Sequence, residues 1–215
     1  MLITRYAKIV MALCLAAFCL LVAFDNITDY ETNYLFVQHV MSMDTTFAGN
    51  ALMYRSVTSP TVWQVCYWLI IAAEAATGIL FLAGAIRLLQ LRNAPAALFN
   101  QGKGLVVAAG LLAFLVWFLG FMVVAGEWFA MWQSQTWNGQ EPAFRFYMTA
   151  LAVLIFVCLP DGDLALRAER AQDNRKPAAK TPAAKTPAAK KTAAKRATTP
   201  KRRRTDQGRR RTDTT

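Results

Sequence analysis

The chain has 215 residues, of which 55% are hydrophobic, and a formal net charge of +11 at pH 7. Residues 161–215 carry 17 Lys or Arg and 6 Asp or Glu, whereas residues 1–160 carry seven of each kind. The hydrophobic fraction argues against an ordinary soluble domain, and four cysteines confined to apolar runs argue against a disulfide-stapled scaffold. We therefore predict a membrane body over residues 1–163, with its cysteines buried, followed by a basic tail over 164–215.

Four apolar runs approach the roughly 20 residues that a helix needs to cross a membrane. We predict spans over about residues 6–24, 60–86, 105–125 and 144–159, which together make an all-α, four-helix transmembrane bundle. The basic start of the first run also suits a cleaved signal peptide, but no small-residue cleavage site follows it, so we expect a retained span. Ser59 and Pro60 are a favourable N-cap and first-turn residue for the second span.

Charges beside the predicted spans alternate in sign along the chain. The N-terminal segment and the connection over 87–104 are basic, whereas the connections over 25–61 and 126–143 are acidic. Because cytoplasmic loops are enriched in Lys and Arg, we predict an inner-membrane protein with both termini in the cytoplasm. Five tryptophans fall at the opposite interface, as expected of an aromatic belt: Trp63, Trp68, Trp128, Trp132 and Trp137.

The first outer connection, residues 25–61, is expected to fold rather than to be a plain linker. Tyr30, Tyr34, Val37 and Met41 recur at helical spacing, which predicts an amphipathic helix lying on the outer surface or capping the bundle. The Gly49 and Asn50 pair would separate this helix from a second, short one over residues 51–56.

Two metal sites in this connection are considered and not favoured. His39 has methionine neighbours that could help it to hold Cu(I), and three acidic residues could suggest calcium. We favour a packing role for His39 and its methionine neighbours. The acidic residues lack the glycine and the closing glutamate of a calcium-binding loop. No metal and no cofactor is therefore predicted. The residues concerned are Met41, Met43 and Met53 beside His39, and Asp25, Asp29 and Glu31.

Glu74 is the one ionisable residue in the middle of a predicted span. An intramembrane carboxyl marks a proton or ion relay, or a polar contact with another helix, by default. Its neighbours over residues 72–78 are alanine, threonine and glycine, and such small residues let a second helix approach closely. We predict a carboxyl buried at a helix contact, with Thr77 paired to it as the second intramembrane candidate, and Tyr67 and Thr149 as further donors.

No catalytic set can be assembled, so we predict that the chain is not an enzyme. The single histidine lies in an outer connection, away from any nucleophile or second carboxylate. Residues 100–104, with the sequence NQGKG, lack the early glycine and the Ser or Thr of a P-loop. We interpret them as a tight turn with an interfacial lysine, Lys103.

The tail is predicted to be disordered. Beyond Arg167 it contains no Ile, Leu, Val, Met, Phe, Tyr or Trp, so it cannot bury a core. Anionic lipid of the inner leaflet is the favoured partner, and nucleic acid, which binds such segments without sequence preference, is the alternative. The binding candidates are two basic clusters: Lys201, Arg202, Arg203 and Arg204, then Arg209, Arg210 and Arg211.

Polar segments of the outer connections carry a family resemblance. They are NITDY from Asn26, FVQHV from Phe36, SMDT from Ser42, GN at Gly49, WNGQ from Trp137 and AFR from Ala143. Together they resemble the bacterial small integral membrane proteins grouped as domain of unknown function 2165, over about residues 3–163. The resemblance implies a multipass inner-membrane protein and supplies no activity. It directs attention to outer-loop candidates, namely Asp25, Asn26, Asp29, Tyr30, His39, Asp44, Asn138 and Arg145.

Two functions stay open at this point. The first is a membrane interaction or accessory protein, which contacts a membrane-protein partner or a second copy of itself and holds lipid with its tail. The second is a small transporter or proton-coupled carrier that uses Glu74. The two differ in what the carboxyl does, because a carrier needs it and an accessory protein does not.

Overall fold

The computed structural model describes residues 2–164, and all regular structure in that range is helical. The first half of the fold contains α1 (Leu2–Thr28), α2 (Tyr30–Ser42) and α3 (Pro60–Gln90). The second half contains α4 (Ala96–Gln101), α5 (Gly104–Phe114), a π segment (Leu115–Trp128) and α6 (Gln140–Cys158). Tail candidates, from Lys201 to the end of the chain, lie outside the described residues.

Four helical stretches are long and apolar enough to cross a membrane: α1, α3, the run Ala96–Trp128, and α6. Large apolar side chains face outward from the bundle along them, including Leu69 on α3 and Ile155 on α6. So many outward-facing apolar side chains are expected of a surface that contacts lipid. The predicted all-α bundle with four spanning helices is confirmed, although the helices extend beyond the apolar runs because polar end residues continue them.

α3 is the central helix of the bundle, with α1 on one side and α5 on the other. α6 packs against α5 and the π segment, and it contacts α1 as well. Small residues permit these approaches: a Cβ on Gly78 would lie 2.7 Å from Leu20 Cγ of α1, and a Cβ on Gly84 would lie 2.9 Å from the backbone nitrogen of Val106 in α5. The predicted close helix contact beside Glu74 is therefore present.

The third span changes its winding partway along. After Phe114 the helix continues through Leu115–Trp128 with wider π turns, and the amide of Phe129 donates to the carbonyl of Val124, five residues earlier, at 3.1 Å. π turns are rare and usually occur as single turns at functional sites. Wider turns displace the side chains of this segment relative to an α-helix, and several of them line the cavities described below.

The connection over residues 29–59 covers one end of the bundle, which we call the loop end. α2 is the predicted amphipathic helix, with Val37, Val40 and Met41 buried against the bundle. Hydrogen bonds tie the rest of the connection down, from Thr45 to Ser134 at 2.8 Å and from the Phe47 amide to the Gln133 side chain at 3.1 Å. The second predicted helix, over residues 51–56, is present only as a single 3₁₀ turn, Met53–Arg55.

The prediction that all four cysteines are buried is wrong for three of them. Cys19 is buried, Cys66 is partly exposed, and Cys14 and Cys158 face outward from the bundle. A thiol on the outer face of a spanning helix lies against lipid, so an apolar sequence neighbourhood does not require a place in the protein interior.

Candidate functional site

The candidate site centres on Glu74, near the middle of α3. The residue is 2% exposed, so the carboxyl is enclosed by the bundle and does not face lipid. Helix α3 turns this position inward together with Tyr67, Ile71, Thr77 and Gly78, which are all buried. The predicted burial of Glu74 at a helix contact agrees with this geometry.

The donor to Glu74 comes from α1. Asn26 Nδ2 donates to Glu74 Oε2 at 2.6 Å, and the Tyr67 hydroxyl donates to the backbone carbonyl of Asn26 at 2.6 Å. Tyr67 therefore positions the residue that binds the carboxyl. Glu74 Oε1 accepts no hydrogen bond among residues 2–164, and it is not one of the fully enclosed polar atoms that lack a partner, so it retains accessible surface.

The three donors predicted from the sequence do not bind Glu74. Thr77 is buried, but its hydroxyl donates to the Ala73 carbonyl of its own helix at 2.7 Å. Thr149 does the same with Arg145 at 2.7 Å, and Tyr67 acts only through Asn26. Threonine in a helix readily donates to the carbonyl four residues earlier, and this local bond competes with a longer one.

Glu74 lines a cavity of about 220 Å³ between α1, α2, α3, the π segment and α6. Asn26 and Asn33 contribute side-chain amides to the lining, and no Lys, Arg or His takes part. Five aromatic residues also line the cavity: Phe36, Tyr67, Trp117, Phe121 and Phe146. The cavity thus combines one carboxyl, two amides and an aromatic enclosure inside the bundle.

A second, more apolar cavity adjoins the first. It has a volume of about 410 Å³ and lies between α2, α3, α5 and the π segment. Phe36, Val37, Ile70 and Phe121 line both cavities, so the two share a wall. Its remaining lining consists of apolar residues such as Ala73, Leu112 and Gly120.

The opposite end of the bundle, which we call the terminus end, holds a buried charge cluster. Lys8 Nζ and Lys103 Nζ each lie 2.7 Å from Asp161 Oδ2, and both also donate to the Leu159 carbonyl. Arg5 donates to the carbonyls of Arg92 and Ala94 at 2.9 and 2.6 Å. Burial alone would raise the pKa of Asp161. The hydrogen bonds and positive charges of Lys103 and Lys8 outweigh burial and hold this pKa below its usual value.

These contacts correct the interpretation of the basic residues at this end. Lys103 is buried in a polar network that includes Asn100, whereas we expected an interfacial side chain in a simple turn. The basic N-terminal segment indicates only an orientation in the membrane, yet its two basic residues, Arg5 and Lys8, are both buried. Arg5 and Lys8 stand three apart and so lie on one face of α1, which is the signal that could have revealed a shared environment.

The candidates near the start of α2 lie at the loop end and not in the cavity. Asp25 and Asp29 are exposed, and Asp29 precedes α2 without forming a side-chain cap. Tyr30 packs edge-on against Tyr67 with ring centroids 4.9 Å apart, and its buried hydroxyl has no partner in the described range. Asn26 is the one outer-loop candidate that joins Glu74.

The remaining outer-loop candidates make separate local contacts. His39 Nδ1 lies 2.8 Å from Asp44 Oδ2, and its ring stacks on Trp137 at 4.7 Å. Asn138 Oδ1 accepts from the Gln140 amide at 3.1 Å as α6 begins, and Arg145 pairs with Glu141 on an exposed face. No group of three His, Cys, Asp or Glu side chains comes together within residues 2–164.

The fold and its outward-facing apolar surface define the class: this is an integral membrane protein built from several apolar helices. A family model described as predicted small integral membrane protein, domain of unknown function 2165, matches residues 4–160. The chain belongs to this family, as the resemblance of its outer segments indicated. It has no significant match among curated proteins or among solved structures.

Proposed function

We propose that the protein is a small carrier that binds a solute at Glu74 and exchanges it for a proton. The observation that carries this proposal is the carboxyl oxygen Oε1, which lacks a donor within the described range while Glu74 lines a cavity. Because Oε1 is not among the fully enclosed atoms without a partner, it has accessible surface on which a ligand can bind. A solute, or a proton, completes the site.

Few other groups near Glu74 can titrate. The charge of Glu74 acts on two other titratable side chains, Cys19 of α1 and Tyr67 of α3. Tyr67 is also influenced by the charges of Tyr30 and Asp29. The cavity walls from the π segment and α6 contain no titratable side chain. Glu74 is therefore the group that we assign to the proton, and the cavity is where solute and proton compete.

Transport by reconstituted protein tests the carrier. The full chain is placed in liposomes containing a pH-sensitive dye, and inorganic cations, organic amines and carboxylic acids are added outside in turn. We expect one class to change the internal pH, and Glu74→Gln to abolish the change. Glu127→Gln, which alters an exposed glutamate at the loop end, is the matched control and should transport normally. An equal response in Glu74→Gln, or no response to any class, overturns the proposal.

Charge placement favours a second candidate, a membrane accessory protein with a lipid-binding tail. The whole net charge of +11 resides in residues 161–215, and we propose that this segment lies on the cytoplasmic side of an inner membrane. The full chain in nanodiscs should then bind anionic vesicles and release them at high salt. Replacing the seven basic residues of the two tail clusters with Gln should abolish binding. Preference for RNA over vesicles would contradict the lipid assignment.

A further inference from the structure

We propose that the cavity at Glu74 binds an organic ammonium ion that bears an apolar chain. The ammonium head would occupy the Glu74 cavity, and the chain would occupy the adjoining apolar cavity. This inference rests on the proposed function, because it names the solute class of the same site. It is carried by the charge of the first cavity, by its aromatic wall and by the shared boundary between the two cavities.

The charge of the cavity favours a cation. Glu74 is the one carboxylic acid in its lining, and no basic side chain contributes to the wall. Three basic residues of the body lie at the terminus end, away from this cavity: Arg5, Lys8 and Lys103. Carbonyl groups and Asp161 bind them there. An anion would therefore meet an uncompensated carboxyl in a low-dielectric site, whereas a cation would neutralise it.

The aromatic wall favours an alkylated ammonium over a metal ion. Calcium needs six to eight oxygen ligands, and magnesium needs six. The cavity offers one carboxyl and the amides of Asn26 and Asn33, and Asn26 is already engaged with Glu74. The face of an aromatic ring attracts an ammonium group electrostatically, so such a group needs no set of oxygen ligands. Phe36, Trp117, Phe121 and Phe146 supply such rings around the carboxyl.

The second cavity determines what the ammonium carries. About 410 Å³ of apolar space adjoins the Glu74 cavity across Phe36, Val37, Ile70 and Phe121. Our proposal places a chain attached to the head in this space, where it would bury apolar surface. A zwitterionic phospholipid fits poorly, because its phosphate would lie beside Glu74 in a cavity without a basic residue.

Calorimetric titration of the full chain in nanodiscs tests the ligand class, with empty nanodiscs subtracted. The probes are decyltrimethylammonium, tetramethylammonium and decyl phosphate. We expect saturable binding of decyltrimethylammonium, weaker binding of tetramethylammonium, and no binding of decyl phosphate. Glu74→Gln should weaken the decyltrimethylammonium affinity by about 30-fold or more, as removal of one partner of a buried charge pair does. Glu127→Gln should leave it unchanged.

A second variant tests the apolar cavity separately. Gly120 lines that cavity, and a Cβ placed there meets only the Leu115 carbonyl oxygen at 3.8 Å, so a larger side chain can enter without a clash at its base. Gly120→Leu should weaken decyltrimethylammonium by about tenfold, the loss of one to two buried methylene groups. It should leave tetramethylammonium binding intact. An equal effect on both probes, or on neither, would overturn the assignment of the chain to this cavity.

The two proposals fail in different ways. If decyltrimethylammonium shows no saturable binding while another solute gives a Glu74-dependent pH response in liposomes, the ligand class is wrong and the carrier stands. If decyltrimethylammonium binds through Glu74 but no solute moves a proton, the binding site stands and the carrier is wrong. Decyl phosphate binding as tightly as decyltrimethylammonium would overturn the charge argument.

Discussion

Asp161 connects two lysines that are far from it in sequence, and its loss should strongly destabilise the body. Asp161→Asn keeps the shape of the side chain but leaves Lys8 and Lys103 buried without a counterion. Breaking a buried ion pair on one side destabilises by about 3–5 kcal/mol. Thermal unfolding of the detergent-solubilised full chain should show the loss. Glu141→Gln, which breaks an exposed pair, should cost no more than about 1 kcal/mol.

The same residue predicts how stability depends on pH. The pKa of Asp161 in the folded chain is held below its ordinary value of about 3.9. The stabilisation is therefore fully present above about pH 4 and is lost as the pH falls through the lower pKa of the folded state. Unfolding of wild type and Asp161→Asn should differ at pH 7 and converge in strong acid. A difference that stays constant down to pH 2 would contradict this role.

The environment of Glu74 was predictable only in part. A carboxyl among alanines and a glycine implies burial at a helix contact, because both conclusions follow from local composition. Its donor, Asn26, lies 48 residues earlier on α1, just beyond the predicted end of the first span. Nothing in either segment indicates the register in which two apolar helices pack. The nearby hydroxyls were reasonable candidates, and each is bound within the bundle by other groups.

Among the helices, the contact between α3 and α5 depends on Gly84, which has no side chain. A Cβ on Gly84 would lie 2.7 Å from Val106 Cγ2 and 2.9 Å from its backbone nitrogen, so Gly84→Ala must push the helices apart. We expect destabilisation by about 1–3 kcal/mol, the usual range for overpacking. Gly104→Ala is the matched control, since nothing lies within 4 Å of its Cβ position. Equal melting temperatures for both variants would refute the close contact.

Periodicity explains which elements were predictable. The apolar residues of α2 repeat at helical spacing, and the helix forms with those residues against the bundle. In the third span every position is apolar, so the pattern carries no information about winding. The change from α to π turns after Phe114 was therefore not predicted. Hydropathy locates a span but does not determine its turn geometry.

The orientation of the whole molecule can be measured with two single cysteines. Asn93 is exposed between α3 and α4 at the terminus end, and Gln135 is exposed at the loop end. If the termini are cytoplasmic, a membrane-impermeant maleimide should label Gln135→Cys in intact cells and Asn93→Cys only after permeabilisation. Both variants are made with the four native cysteines replaced by alanine, because two of these thiols face outward from the bundle. The reverse pattern would invert the proposed topology.

The buried cluster at the terminus end also has a consequence for biogenesis. Lys8 is synthesised long before the carboxylate that neutralises it, which follows 153 residues later. At synthesis rates of about 5–20 residues per second, the Lys8 ammonium group is without its carboxylate for about 8–30 s. A chain cut short before Asp161 would leave Lys8 without its counterion, so the segment that follows α6 completes the neutralisation of the first helix.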